Sequence, residues 1–220
     1  VYFHLADQST TFSNNFHQLW NGGRGMADFE IAYGETEIHE GGYVNDPVDP
    51  GGETHRGVSR QFHPDWVGWE VIDRYKADFP GEYLKRINDD QQLVEWSKDL
   101  YRRKYWAPIL GDQIKDQQIA NKVFDTAVNQ GVATSVKYLQ EGLNLLNRNQ
   151  RDYADIEIDG RMGTATLSAT DKFLALEQGR PDYLLKILNL LQAMRYIQIM
   201  RSNPSQQKFA RGWLNRVGLR

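Results

Sequence analysis

Glu40 and Asp49 stand nine residues apart, with Asp46 between them and Thr54 five beyond Asp49. A protonated carboxyl facing a second carboxylate is the arrangement that cleaves a glycosidic bond. The acid protonates the leaving oxygen; its partner attacks, or positions water, against an oxocarbenium-like transition state. Glu40 is the candidate acid, Asp49 the candidate second carboxylate with Asp46 as its rival, and Thr54 a candidate to hold water. The stretch 40–54 packs four carboxylates, four glycines and two prolines into fifteen residues. Gly and Pro fix turns that other residues resist, and loops held by a rigid scaffold are where chemistry concentrates.

The elements around this loop must aim it. Apolar residues Phe29, Ala32, Tyr33 and Ile38 predict a helix over 28–39, stopped by Gly41-Gly42. Glu40 is then expected at a helix C-terminus, where the partial negative charge, with Glu35 and Glu37 nearby, favours the protonated form that a general acid needs. Residues 43–63 predict the loop and a short strand or hairpin. Amphipathic patterns follow over about 64–76, 89–106, 113–130, 133–148, 164–178, 182–202 and 209–217, with a second loop at 150–162. The fold class is mainly α, with a small β patch beside the loop.

Whole-chain properties narrow the classes. There are 220 residues, 40% hydrophobic and 25% charged, as in an ordinary globular protein. No apolar run is long enough to span a membrane, so no stable membrane insertion is expected. With no cysteine there is no thiolate nucleophile and no thiolate-bound metal. His39, His55 and His63 could meet Asp46 or Asp49, but none pairs at helical ligand spacing; no metal and no cofactor are expected. Phosphate-binding Gly loops, GxSxG and HExxH are absent. Residues 26–100 carry 7 basic and 17 acidic groups, whereas 183–220 carry 7 basic groups and no acid. The acidic half would repel phosphate, so nucleic acid is not an expected partner. The basic end reads as a solvated helix face, or as a surface approaching an anionic polymer such as a cell wall.

The stretch His39-Glu40-Gly41-Gly42-Tyr43-Val44-Asn45-Asp46-Pro47, then Asp49-Pro50-Gly51-Gly52-Glu53-Thr54 and Gly57-Val58, resembles the glycoside hydrolase family 108 N-acetylmuramidases, also known as secretion-activator proteins. Phe124-Asp125-Thr126-Ala127-Val128-Asn129-Gln130-Gly131, Ile158-Asp159-Gly160-Arg161-Met162-Gly163 and Phe209-Ala210-Arg211-Gly212-Trp213 look like the peptidoglycan-binding domain that follows in that family. The resemblance implies a lysozyme-like helical fold, a peptidoglycan substrate, cleavage of the muramic acid to glucosamine bond, and Glu40 as the catalytic acid. The order Glu, Asp, Thr is also similar to phage lysozymes (endolysins), although Thr54 follows Asp49 with four residues between where that group usually has five. The similarity of Ala127 to Gly131 to a phage-lysozyme segment implies that Asn129 lines the opposite cleft wall. Tyr43, Asp46 and Asn129 are the expected substrate-binding residues.

The expected organisation is an N-terminal extension (1–25) without assigned function, a lysozyme-like catalytic region (26–110) and a helical wall-binding region (111–220), packed as one unit because no linker separates the last two. Residues 1–25 lack the basic start and apolar core of a signal peptide. Action at the cell wall would then require a dedicated export route or release on phage lysis. Oligomeric state is open, with a monomer expected. Rival readings are a lytic transglycosylase, which needs one Glu and no water, and a wall-binding or secretion-associated module without catalysis.

Overall fold

The computed structural model describes residues 25–36, 42–45 and 52–217. It is mainly α-helical, with one small antiparallel sheet, as in lysozyme-like folds. Helix α1 (Phe29–Glu35) starts where the Asp28 carboxylate accepts the Glu30 N–H at 2.7 Å. Phe29, Ala32 and Tyr33 form its buried stripe. It stops four residues earlier than the sequence pattern predicts. Thr36 turns to extended backbone, and its hydroxyl donates to the Ala32 carbonyl at 2.8 Å. The C-terminus of α1 falls at Glu35, whose carboxylate accepts from Asn121 at 2.5 Å; the helix end expected at Glu40 lies outside the described residues.

The sheet comes next: β1 (Tyr43–Asn45), β2 (Glu53–His55) and β3 (Val58–Ser59), in spatial order 1-2-3. Helix α2 (Gly68–Asp78) begins at Gly68 rather than Pro64. The intervening chain is used to bury Trp66 and Trp69, which meet edge-to-face at 5.0 Å. The Trp66 ring lies so close over Gly68 that any Cβ there would sit 2.1 Å from it. A short helix missing from the sequence reading, α3 (Tyr83–Asp89), buries Ile87.

Helix α4 (Gln91–Tyr101) follows, capped by Asp90, whose carboxylate accepts from Gln92 N at 2.8 Å and Leu93 N at 3.3 Å. The same side chain accepts from the Tyr75 hydroxyl at 2.9 Å, tying α2 to α4. Asp90→Ala is expected to cost about 1–2 kcal/mol through the lost cap. Urea denaturation at pH 7 measures it; an unchanged midpoint would show the cap contributes nothing.

A π-helical turn (Arg102–Trp106) and two 3₁₀ turns (Ala107–Ile109, Gly111–Gln113) carry the chain to α5 (Gln117–Gln130). The Asp116 carboxylate caps α5 through Ile119 N at 2.9 Å. Gln117 clasps both backbone polar groups of Asp28, at 2.7 and 3.0 Å, and passes a hydrogen bond to Asn121 at 2.6 Å. Gly131, at φ 93°, joins α5 to α6 (Val132–Leu146) with no further connection. Residues 147–163 form the second loop. Gln140 holds it through Asp159 (2.8 Å), Gly160 N (2.9 Å) and the Arg161 carbonyl (3.1 Å). Helices α7 (Thr164–Leu176), α8 (Asp182–Ser202) and α9 (Ala210–Val217) close the chain, with a 3₁₀ turn at Pro204–Phe209.

A single apolar cluster runs from Ala27 to Leu188, taking in α1, the sheet and α2 to α8. A smaller cluster of Ala193, Tyr196 and Val217, covered by Trp213, attaches α9 to the end of α8. Among the described residues, no helix is long and apolar enough to cross a membrane.

Candidate active site

Antiparallel pairing matches Tyr43 with His55, Val44 with Thr54 and Asn45 with Glu53. Residues 46–52, which include Asp46 and Asp49, connect these two strands in sequence, and the Asn45–Glu53 pair closes the root of that connection. On the far side of β2, Arg56 and Gly57 make a two-residue turn with φ 44° and 78°, the both-positive pattern whose twist suits a tight hairpin. Side chains alternate along a strand. His55 therefore points into the core with Tyr43 and Val58, while Thr54 lies half-buried on the opposite face beside exposed Val44. The Thr54 hydroxyl donates to the Gly52 carbonyl at 3.2 Å.

An ion cluster that the linear sequence does not show braces the root. Glu53 accepts from the Tyr43 hydroxyl at 2.8 Å, pairs with Arg60 at 3.0 Å and pairs with Lys76. Arg60 reaches on to Asp73 at 2.6 Å and lies 4.7 Å over the Trp69 ring. Lys76 lies over the Tyr43 ring at 5.1 Å. With cations on both of its oxygens, Glu53 braces the strand root. Tyr43 is only 7% exposed, and burial followed by the Glu53 hydrogen bond pushes its hydroxyl well above the usual tyrosine range. It supports the strand from within and offers no open face to a sugar ring. Its backbone N–H donates to Asn88 at 2.9 Å, an approach that only glycine at 42 permits, since a Cβ there would lie 2.3 Å from the same amide oxygen.

His55 is fully buried, stacked on Trp66 at 5.7 Å, with Nδ1 3.3 Å from the Ser97 hydroxyl. Burial first, then the Arg56 charge, pushes its pKa from 6.5 down to about 4. The folded state thus holds it neutral where the unfolded chain would protonate it. This contribution is complete above pH 6.5 and is lost as pH falls toward 4. Integrated over that window it amounts to roughly 3 kcal/mol. Unfolding free energies across pH 4–7 are expected to show this slope in the wild type and a flatter one in His55→Phe; identical slopes would assign the pH dependence elsewhere.

Glu40, Asp46 and Asp49 lie outside the described residues. Asn129, in the last turn of α5, donates from its amide to the Asp125 carbonyl at 2.7 Å and the Asp125 carboxylate at 3.1 Å. Asp125 also accepts from Arg216 of α9 at 2.7 Å and Gln192 of α8 at 3.2 Å. The amide of Asn129 therefore serves a polar tie among three helices. Lys122 joins this tie by donating to Gln192 at 2.5 Å, and burial lowers its pKa to about 8.

Comparison with known proteins agrees with this architecture. Residues 33–131 match the family model described as Glycosyl hydrolase 108, and residues 134–218 match the one described as Predicted Peptidoglycan domain. No curated protein matches the chain. The solved structure titled "Structure of Brucella abortus SagA" superposes with a TM-score of 0.56 at 24% identity, covering 86% of this chain and 88% of that one. At that identity the likeness speaks for the fold alone. With the two family matches meeting at the α5–α6 joint, the chain belongs to the glycosyl hydrolase 108 family over its first part and to the peptidoglycan domain family over its second, and it is a hydrolase of peptidoglycan.

Proposed function

We propose that this hydrolase is a lysozyme-type N-acetylmuramidase, cleaving the bond from N-acetylmuramic acid to N-acetylglucosamine in glycan strands. Glu40 protonates the leaving oxygen. Asp49, or Asp46 in its place, is the second carboxylate, and Thr54 positions the attacking water. Asn129 meets the glycan from the opposite wall. The part up to the α5–α6 joint, which the hydrolase family matches, supplies the chemistry, and the part after it the grip on the wall.

The observation that supports this best is the braced hairpin. The connection bearing both aspartates is rooted on a strand pair whose closing residue, Glu53, is held by Arg60, Lys76 and Tyr43. Thr54, next along the same strand, stands on the outward face. Catalytic groups must be held to within fractions of an ångström, and the locked strand pair gives Thr54 a fixed base. The neighbouring carboxylate, Glu53, is committed to its cations, which is consistent with giving the acid and second-carboxylate roles to Glu40 and the aspartates.

The test is a digest of purified peptidoglycan, with products reduced and weighed by mass spectrometry. Products ending in reducible muramic acid support the muramidase. Reducible glucosamine ends would place the cut at the other glycosidic bond. Anhydro-muramic ends would replace hydrolysis at this site with lytic transglycosylation.

A further inference from the structure

Helix α8 is apolar on two opposite faces. Its inner face carries Leu184, Leu188, Gln192 and Tyr196, all buried. Its outer face carries Tyr183, Leu190, Met194 and Ile197, which are 57%, 46%, 55% and 38% exposed. A helix that is apolar all round is normally covered all round, and a contiguous apolar patch on a surface marks an interaction site.

The spacing on this outer face is more specific than an apolar patch. Tyr183, Ile187, Leu190, Met194, Ile197 and Arg201 follow one another at alternating steps of four and three, with Ile187 half-buried beside Gly142 of α6 at the edge of the face. That is the seam along which one helix packs against another. An amphipathic helix lying on lipid shows the same period, so the choice of occupant rests on the self-complementarity of the seam.

The seam is also complementary to itself. Reversed about Gln192, it sets Tyr183 against Arg201, Ile187 against Ile197 and Leu190 against Met194. Acidic Asp182, at the start of the helix, then faces the Arg201 end, while Lys186 faces uncharged Gln198. A parallel pairing would instead set Lys186 on Lys186 and Arg201 on Arg201. At the Arg201 end, Ile197, Met200 and Arg201 of α8 line a shallow groove with Gln207 and Ala210. The antiparallel register brings the exposed Tyr183 of another copy to that groove, an aromatic anchor over an arginine.

We propose that the outer face of α8 is a self-association surface that takes α8 of a second copy of this chain in antiparallel register, giving a two-fold symmetric dimer. A two-fold interface uses one patch twice, which is what this seam provides.

The test uses the full chain. Sedimentation across the micromolar to near-millimolar range is expected to show a monomer–dimer equilibrium for the wild type. Met194→Asp, an exposed change that leaves the circular dichroism intact, is expected to weaken dimerisation at least tenfold. The chain has no cysteine of its own, so Leu190→Cys and Met194→Cys proteins can be mixed and oxidised. The mixed 190–194 crosslink is expected to exceed either homodimer crosslink, as only the antiparallel register demands. A monomer at every concentration overturns the proposal. So does a dimer indifferent to Met194→Asp, or a 190–190 crosslink that outruns the mixed one. Pelleting of a monomer with vesicles containing anionic lipid, abolished by Met194→Asp, would assign the face to a membrane instead.

Discussion

Glu40→Gln is expected to lower the rate of peptidoglycan solubilisation by about 10²- to 10⁴-fold, the range that a general acid contributes. Glutamine keeps the size and the hydrogen-bonding carbonyl of the side chain but has no proton to give the leaving oxygen. The substitution therefore removes the proton transfer and little else. Sedimentation of the variant with intact peptidoglycan is expected to match the wild type, since the second family match begins at residue 134. Turbidity loss of purified walls, read beside a pelleting assay, separates the two effects. Full lysis by Glu40→Gln would move the acid role to another residue. Loss of pelleting along with lysis would make Glu40 a binding or folding residue. Thr54→Val is expected to cost less than Glu40→Gln, because a water that loses one of its holders can still be activated by the second carboxylate.

Trp106→Ala is expected to cost about 3–5 kcal/mol, at the upper end for a single core truncation. The indole is completely buried, edge-on to Phe29 of α1 at 5.8 Å and to Phe124 of α5 at 5.7 Å. Its N–H donates to Asp112 at 2.7 Å, and it covers Gly111 so closely that a Cβ there would lie 2.2 Å from the ring. Truncation therefore opens a cavity between α1 and α5. Native domains are stable by only about 5–15 kcal/mol, so the loss is a large fraction of the whole. Urea melts followed by circular dichroism give the size of the effect. A change below about 1 kcal/mol would mean that α1 and α5 pack without this ring.

The later helices were legible because their apolar spacing is continuous and their ends are punctuated. Helix α8 has the bounds predicted for it, 182–202, set by Pro181 before it and Asn203-Pro204 after it. The early part was harder for identifiable reasons. Ile38 prolonged the apolar rhythm of α1, but the Thr36 side chain took the Ala32 carbonyl and ended the helix there. Pro64 looked like a first-turn proline, yet two indoles had to be buried before α2 could begin. Helix α3 is a single short stretch with one fully buried residue, too little pattern to see.

At the site, the hairpin position of Thr54 follows from the turn residues around it. The Glu53 cluster does not, since its cations come from Arg60 after β3 and Lys76 on α2, at no regular spacing. Tyr43 was expected to bind substrate; only the packing shows its ring turned inward. The basic C-terminal stretch read as a solvated face from its charge, and Lys186, Arg195 and Arg201 of α8 are exposed.

Gly131 alone separates α5 from α6, and the two family matches meet around it. A wall-binding module on a flexible linker sweeps a volume, so its enzyme cuts wherever the linker lets it reach. A one-residue joint within a shared core sweeps nothing. On the proposed function, the offset between where a strand is gripped and where it is cut becomes a fixed length of the fold, a ruler laid along the glycan. Fragment sizes would then be set by geometry and would not broaden as they do with a tether.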